Sequence, residues 1–103
     1  MATISTRVSS DQKKVTIFVN GRFDFSAQRE FRDAYSSNAD FNSCYHINLS
    51  GADYMDSSAM GMLLMLQKHV NGDRERVVIE QASDDIAKIL KIANFDKLFQ
   101  FAG

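Results

Sequence analysis

Apolar and polar residues alternate from the start of the chain. Ile4, Thr6 and Val8 fall on one side of an extended segment, Ser9-Ser10-Asp11-Gln12 supplies turn chemistry, and Val15, Ile17 and Val19 alternate again. The pattern predicts an antiparallel hairpin that ends at Asn20-Gly21. After Arg22-Phe23-Asp24-Phe25 the period changes. Ala27, Phe31, Ala34 and Tyr35 share one face of a helix that Ser26 is placed to cap, and Gln28, Arg29, Arg32 and Asp33 occupy the solvated face. Ser36 to Ser43 reads as a polar loop. Tyr45, Ile47 and Leu49 then alternate with Cys44, His46 and Asn48 as a third strand, closed by Gly51 and its neighbours.

A second helix is expected from Ser57-Ser58 to about Val70, with Asn71-Gly72 as its stop signal. Val77-Val78-Ile79 forms a fourth strand. Ser83 is placed to cap a third helix whose first turn carries Asp84 and Asp85, the charge sign favoured at the positive end of a helix dipole. Its Ile86, Ile89, Leu90 and Ala93 form the expected core stripe, and Asn94 the expected C-cap. For Phe95 to Phe101 periodicity leaves two readings open, a short helical turn or an edge strand. The order β-β-α-β-α-β-α predicts an α/β fold, a mixed β-sheet with helices packed on it.

The chain has 103 residues, 45% of them hydrophobic, enough for one domain spanning 1–103 but not two. A lone Cys44 forms no internal bridge and fits a reducing compartment, with a small buried apolar role as the plain alternative. Thirteen acidic side chains against twelve basic ones give a net charge of −1, which argues against nucleic-acid binding. Met1 to Val8 lacks the charged and apolar regions of a signal peptide, so a cytoplasmic location is expected. The longest apolar stretch, Ala59 to Leu66, falls far short of the roughly 20 residues of a membrane-spanning helix.

At about 100° per residue, Ala59, Met62, Leu63, Leu66 and Val70 of the second helix fall in one sector and make a core stripe. Met60, Gly61 and Leu64 point away from it, towards Lys68 and Asn71. Either the helix is buried on both sides, or these residues form an exposed apolar patch that marks a protein-binding surface. Their place in the first turns, just after two serines, favours the patch.

Those serines sit in Met55-Asp56-Ser57-Ser58-Ala59-Met60-Gly61, which resembles the Asp-Ser-[Ser/Thr]-Gly-[Leu]-Gly signature of the anti-sigma-factor antagonists built on the STAS domain. Asn20-Gly21-Arg22-Phe23-Asp24 resembles that family's Gly-x-Leu-Asp after the second strand, and Ile47-Asn48-Leu49-Ser50 its third strand. The resemblance covers nearly the whole chain. It implies a STAS-like fold and a regulator that is not an enzyme and needs no cofactor. The implied partner is a serine kinase acting as anti-sigma factor, or a response regulator with a kinase or phosphatase module. That kinase would phosphorylate the serine after the aspartate, here Ser57, and a PPM-type phosphatase would reverse it. Asp24, Asp56, Ser58, Met60, Gly61 and Leu64 would form the partner-binding surface. Ala59 stands where the family has glycine, and Asn48 where an aspartate is common. The run through Leu64 is similar to the proteobacterial branch that pairs with response regulators.

The junction chemistry suits such a switch. A serine at a helix start is often only a cap. Here, phosphorylation would add roughly −1.5 to −2 charges beside Asp56 and at the rim of an apolar surface, opposing docking. The helix dipole would offset about 0.3–1 kcal/mol of this. Enzymatic alternatives find little support, since His46 and His69 lie in no metal-ligand spacing and no Gly-x-Ser-x-Gly or Walker loop is present. A lipid- or nucleotide-binding module and a scaffold subunit of a signalling assembly remain the alternatives.

Overall fold

In the computed structural model, which describes residues 2–11, 13–37 and 43–102, the first alternating segments are β1 (Thr3–Val8) and β2 (Lys14–Phe23), paired antiparallel from Thr3↔Asn20 to Val8↔Val15. A 3-10 turn (Phe25–Ala27) leads into α1 (Gln28–Ser37), followed by β3 (Cys44–Met55) and α2 (Ser57–His69). A second 3-10 turn (Arg74–Arg76), β4 (Val77–Glu80), α3 (Asp84–Ile92), a third 3-10 turn (Phe95–Lys97) and β5 (Gln100–Ala102) complete the chain. The expected order is thus present, with a fifth strand after it. The phenylalanine-rich tail supplies both of the structures left open by its periodicity, and Phe95 and Phe99 are buried.

The sheet order is β1-β2-β3-β4-β5, with every pair after the first parallel. Because spatial order follows chain order without reversal, right-handed crossovers deliver all three helices to one face. Burial follows this geometry. Val15, Ile17, Tyr45, Ile47, Leu49, Val77 and Ile79 are sealed under the helices, whereas Phe18, His46, Asn48, Val78 and Glu80 on the uncovered face are half-buried. Cys44 is half-buried rather than in the core. His46 is bonded to Glu80, Nδ1 to Oε1 at 2.7 Å, and Asn48 donates to the other carboxylate oxygen.

Two strands run past the glycines expected to end them. β2 continues through Asn20-Gly21 to Phe23, and β3 through Gly51 to Met55, because each offers the other a ladder: Asn20↔Gly51, Gly21↔Ala52, Arg22↔Tyr54, Phe23↔Met55. Register shifts between Phe18 and Asn20 and between Gly21 and Arg22 take up the irregularity. At Gly51 the Asn20 side chain occupies the space a Cβ would need, so the glycine marks a close approach, not a turn.

The helices keep most of their expected faces. Ala27, Phe31, Ala34 and Tyr35 are buried, as are Ala59, Met62, Leu63, Leu66 and Val70. Ser36 and Ser37 continue α1 instead of opening a loop, and the rest of that expected loop up to 42 lies outside the described residues. In α3 only Ile86 and Leu90 are buried. Ile89 and Ala93 are exposed, because α3 sits near the sheet edge over a three-residue strand and has core beneath only a narrow stripe. No described helix is long and apolar enough to cross a membrane.

Candidate functional site

Phe23 and Met55 end their strands side by side. The residues that follow them, Asp24 and Asp56, therefore emerge together at one end of the sheet, and each begins a helical segment. Asp56 adopts extended backbone and its Oδ1 accepts from the Ala59 N–H at 3.1 Å, which makes it the N-cap of α2. Asp24 caps the 3-10 turn in the same way. Its Oδ1 accepts from the Ser26 N–H at 3.0 Å and the Ser26 hydroxyl at 2.5 Å. Ser26, expected as the cap, is thus the donor to it. The Arg22 Nε lies 3.0 Å from the other Asp24 oxygen, and its guanidinium stacks 3.6 Å from the Tyr54 ring centre. The Ser26 hydroxyl bond, then the Ser26 N–H and Arg22, hold the Asp24 carboxyl below its usual range.

Ser57 is the first residue of α2, one position inside the cap, and its side chain is exposed. Ser58 is half-buried. Taken at helical spacing, Ser57, Gly61, Leu64 and Lys68 (i, i+4, i+7, i+11) form one outward stripe, opposite the buried Ala59, Leu63 and Leu66. Leu64 is 37% exposed. Met60 departs from the sequence expectation: it is half-buried and packs on the core at the flank away from α1, so it does not belong to the outward stripe.

Gly61 has open space around it. A Cβ there would meet nothing within 4 Å among the described residues, so their packing does not call for glycine at that point of the helix. Two exposed apolar side chains that sequence patterning did not single out lie nearby in the chain: Phe25, next to Asp24 and 67% exposed, and Met65, next to Leu64 and 56% exposed. An aromatic residue in a polar junction was the available signal for Phe25. Met65 carried none, since an apolar residue in an apolar run shows no departure from a core pattern.

This arrangement offers an exposed hydroxyl at a helix N-terminus, an adjoining apolar surface on the same helix, and two carboxylates already committed to caps. The family model described as Mlab, STAS domain matches residues 6–100. A STAS-domain containing protein of Pseudomonas aeruginosa is 41% identical over 99 residues, covering 96% of this chain and 98% of that one. Among solved structures, a candidate anti-sigma factor antagonist from Thermotoga maritima matches with a TM-score of 0.80 at 13% identity, over 97% of this chain and 86% of its own. The unphosphorylated form of the anti-sigma factor antagonist SpoIIAA matches at 0.70 and 15% identity, over 98% of this chain and 87% of its own. The phosphorylated form of SpoIIAA from Bacillus matches at 0.68 and 16% identity, over 98% and 92%. The structural likenesses carry the fold, and the sequence matches carry the kinship: this chain belongs to the STAS-domain family.

Proposed function

We propose that this protein is a cytoplasmic protein-binding regulator of the anti-sigma-factor antagonist type, which docks through the outward face of α2 and is switched by phosphorylation of Ser57. The observation that carries the reading is the shared stripe: an exposed serine at the first helical position, followed on the same face by Gly61 and Leu64. A glycine in an exposed helix costs about 1 kcal/mol against alanine. With no neighbour among the described residues to explain it, the glycine suits the close approach of another molecule.

The partner is a serine kinase of the anti-sigma-factor kind or a response regulator carrying a kinase or phosphatase module, with a PPM-type phosphatase restoring the hydroxyl. A phosphate on Ser57 adds roughly −1.5 to −2 charges. It would stand at the favourable end of the α2 dipole, so the fold tolerates it, but beside Asp56 and in the path of an incoming apolar surface. Docking is lost while the domain stays folded. Asp24, Asp56 and Ser58 act as the polar rim, the two carboxylates chiefly by holding the junction in shape.

Intact-mass measurement and phosphopeptide mapping of the protein from its native cell test this reading. A single phosphate on Ser57, with a co-purifying kinase bound only to the unmodified form, is expected. Phosphate on Ser58 alone, or a partner complex indifferent to the phosphate, overturns the switch.

A further inference from the structure

Helices α1 and α2 pack against each other but leave between their outer surfaces a cavity of about 80 Å³, lined by Gln28, Phe31, Arg32, Tyr35, Met62 and Met65. Its floor is core, since Phe31, Tyr35 and Met62 are buried, and its outer wall is the exposed Met65. Size and charge together identify what fits. Pockets for drug-sized ligands run to roughly 300–1,000 Å³, so this one suits a single aliphatic side chain and not a small molecule. Methionine walls adapt to an inserted group better than branched side chains do. Arg32, on the rim, is exposed and makes no ion pair among the described residues. A carboxylate beside the inserted side chain would pair with its guanidinium, and an ammonium would be repelled.

We propose that the α1–α2 cavity is an anchor pocket of the partner interface, taking one aliphatic side chain from a partner segment in which an adjacent residue carries a carboxylate for Arg32. The proposal rests on the protein-binding reading above and gives the partner's local chemistry. It places the anchor beside the switch. Ser58, Met62 and Met65 (i, i+4, i+7) form a second stripe on α2, turned towards α1 and flanking the outward stripe of Ser57, Gly61 and Leu64. From Ser58 to Met65 the helix rises about 10 Å, a length spanned by roughly three residues of extended chain.

Selection of a random-peptide display library on the full chain, with the Arg32→Glu, Met65→Arg and Leu64→Glu variants as parallel baits, provides the test. Arg32, Met65 and Leu64 are exposed, so the baits are expected to fold, and circular dichroism checks this. Wild-type protein should enrich peptides with Leu, Ile or Met next to Asp or Glu. Arg32→Glu should shift the neighbouring preference to Lys or Arg, and Met65→Arg should weaken binding of the wild-type peptides at least tenfold. An acidic preference unchanged in Arg32→Glu, full binding to Met65→Arg, or no enrichment at all overturns the pocket. Peptides lost on Leu64→Glu but indifferent to Met65→Arg refute the pocket and leave the α2 docking reading standing. Pocket-dependent peptides that bind equally well when Ser57 is phosphorylated refute the switch and leave the pocket.

Discussion

Phe23 and Met55 are partners in the parallel ladder of β2 and β3. Because both strands stop there, the capping carboxylates Asp24 and Asp56 leave the sheet together and α2 starts at a fixed point beside the α1 turn. Residues 32 positions apart in the chain thus form one junction, and the exposed Ser57 is presented from its rim.

Replacement of Gly61 separates folding from docking. Gly61→Ala adds a methyl group where no described residue lies within 4 Å, so it should stabilise the domain by about 0.5–1 kcal/mol in urea denaturation. The same methyl group should weaken the partner complex. A loss of stability would mean that the helix needs glycine for its own packing.

Neighbouring leucines should behave oppositely. Leu63 is fully buried and Leu64 is 37% exposed. Leu63→Ala should cost about 2–5 kcal/mol in chemical denaturation, whereas Leu64→Glu should stay within about 0.5 kcal/mol of wild type. Partner affinity, measured by calorimetry, should fall by about 1 kcal/mol or more for Leu64→Glu. Met60 is half-buried against the core, so a charge there should lower stability as well as binding.

Capping belongs to Asp56, not to the serines. Asp56→Ala should therefore cost about 0.5–2 kcal/mol in thermal or urea unfolding. Ser57→Ala should leave stability nearly unchanged and abolish phosphorylation in a kinase assay. Equal destabilisation by the two would place the serine hydroxyl in the cap.

Acid should weaken the junction. Asp24 is held below its ordinary value of 3.8, first by the Ser26 hydroxyl, so its contribution to stability is present above that value and is lost as pH falls through the lowered one. Asp11, lowered chiefly by the Ser9 hydroxyl, behaves the same way in the β1–β2 turn. The melting-temperature gap between wild type and Asp24→Asn should therefore narrow as pH falls below the ordinary carboxylate range. Burial raises the Tyr35 phenol above 10.0, so its contribution is present below that value and fades as pH rises through the raised one. Tyr35→Phe should remove that alkaline loss.

Local patterning was enough for the element order and for the faces of α1 and α2, because burial on one side imposes a period of two or nearly four on the chain itself. It also carried the Asp56-Ser57 junction and the α2 start. Where β2 and β3 end was decided by the tertiary structure: Asn20-Gly21 and Ser50-Gly51 carry turn chemistry, yet each pair lies inside a ladder that only the other strand could complete. The same holds for Ile89 and Met60, whose burial depends on how far the sheet extends beneath a helix and which neighbour stands beside it. The α1–α2 cavity and Arg32 on its rim, without an ion pair among the described residues, have no trace in the periodicity, since they arise from the fit between two helices that the whole of β3 separates in the chain. Patterning reports which side of an element meets the core, and the distances between elements set what remains open to a partner.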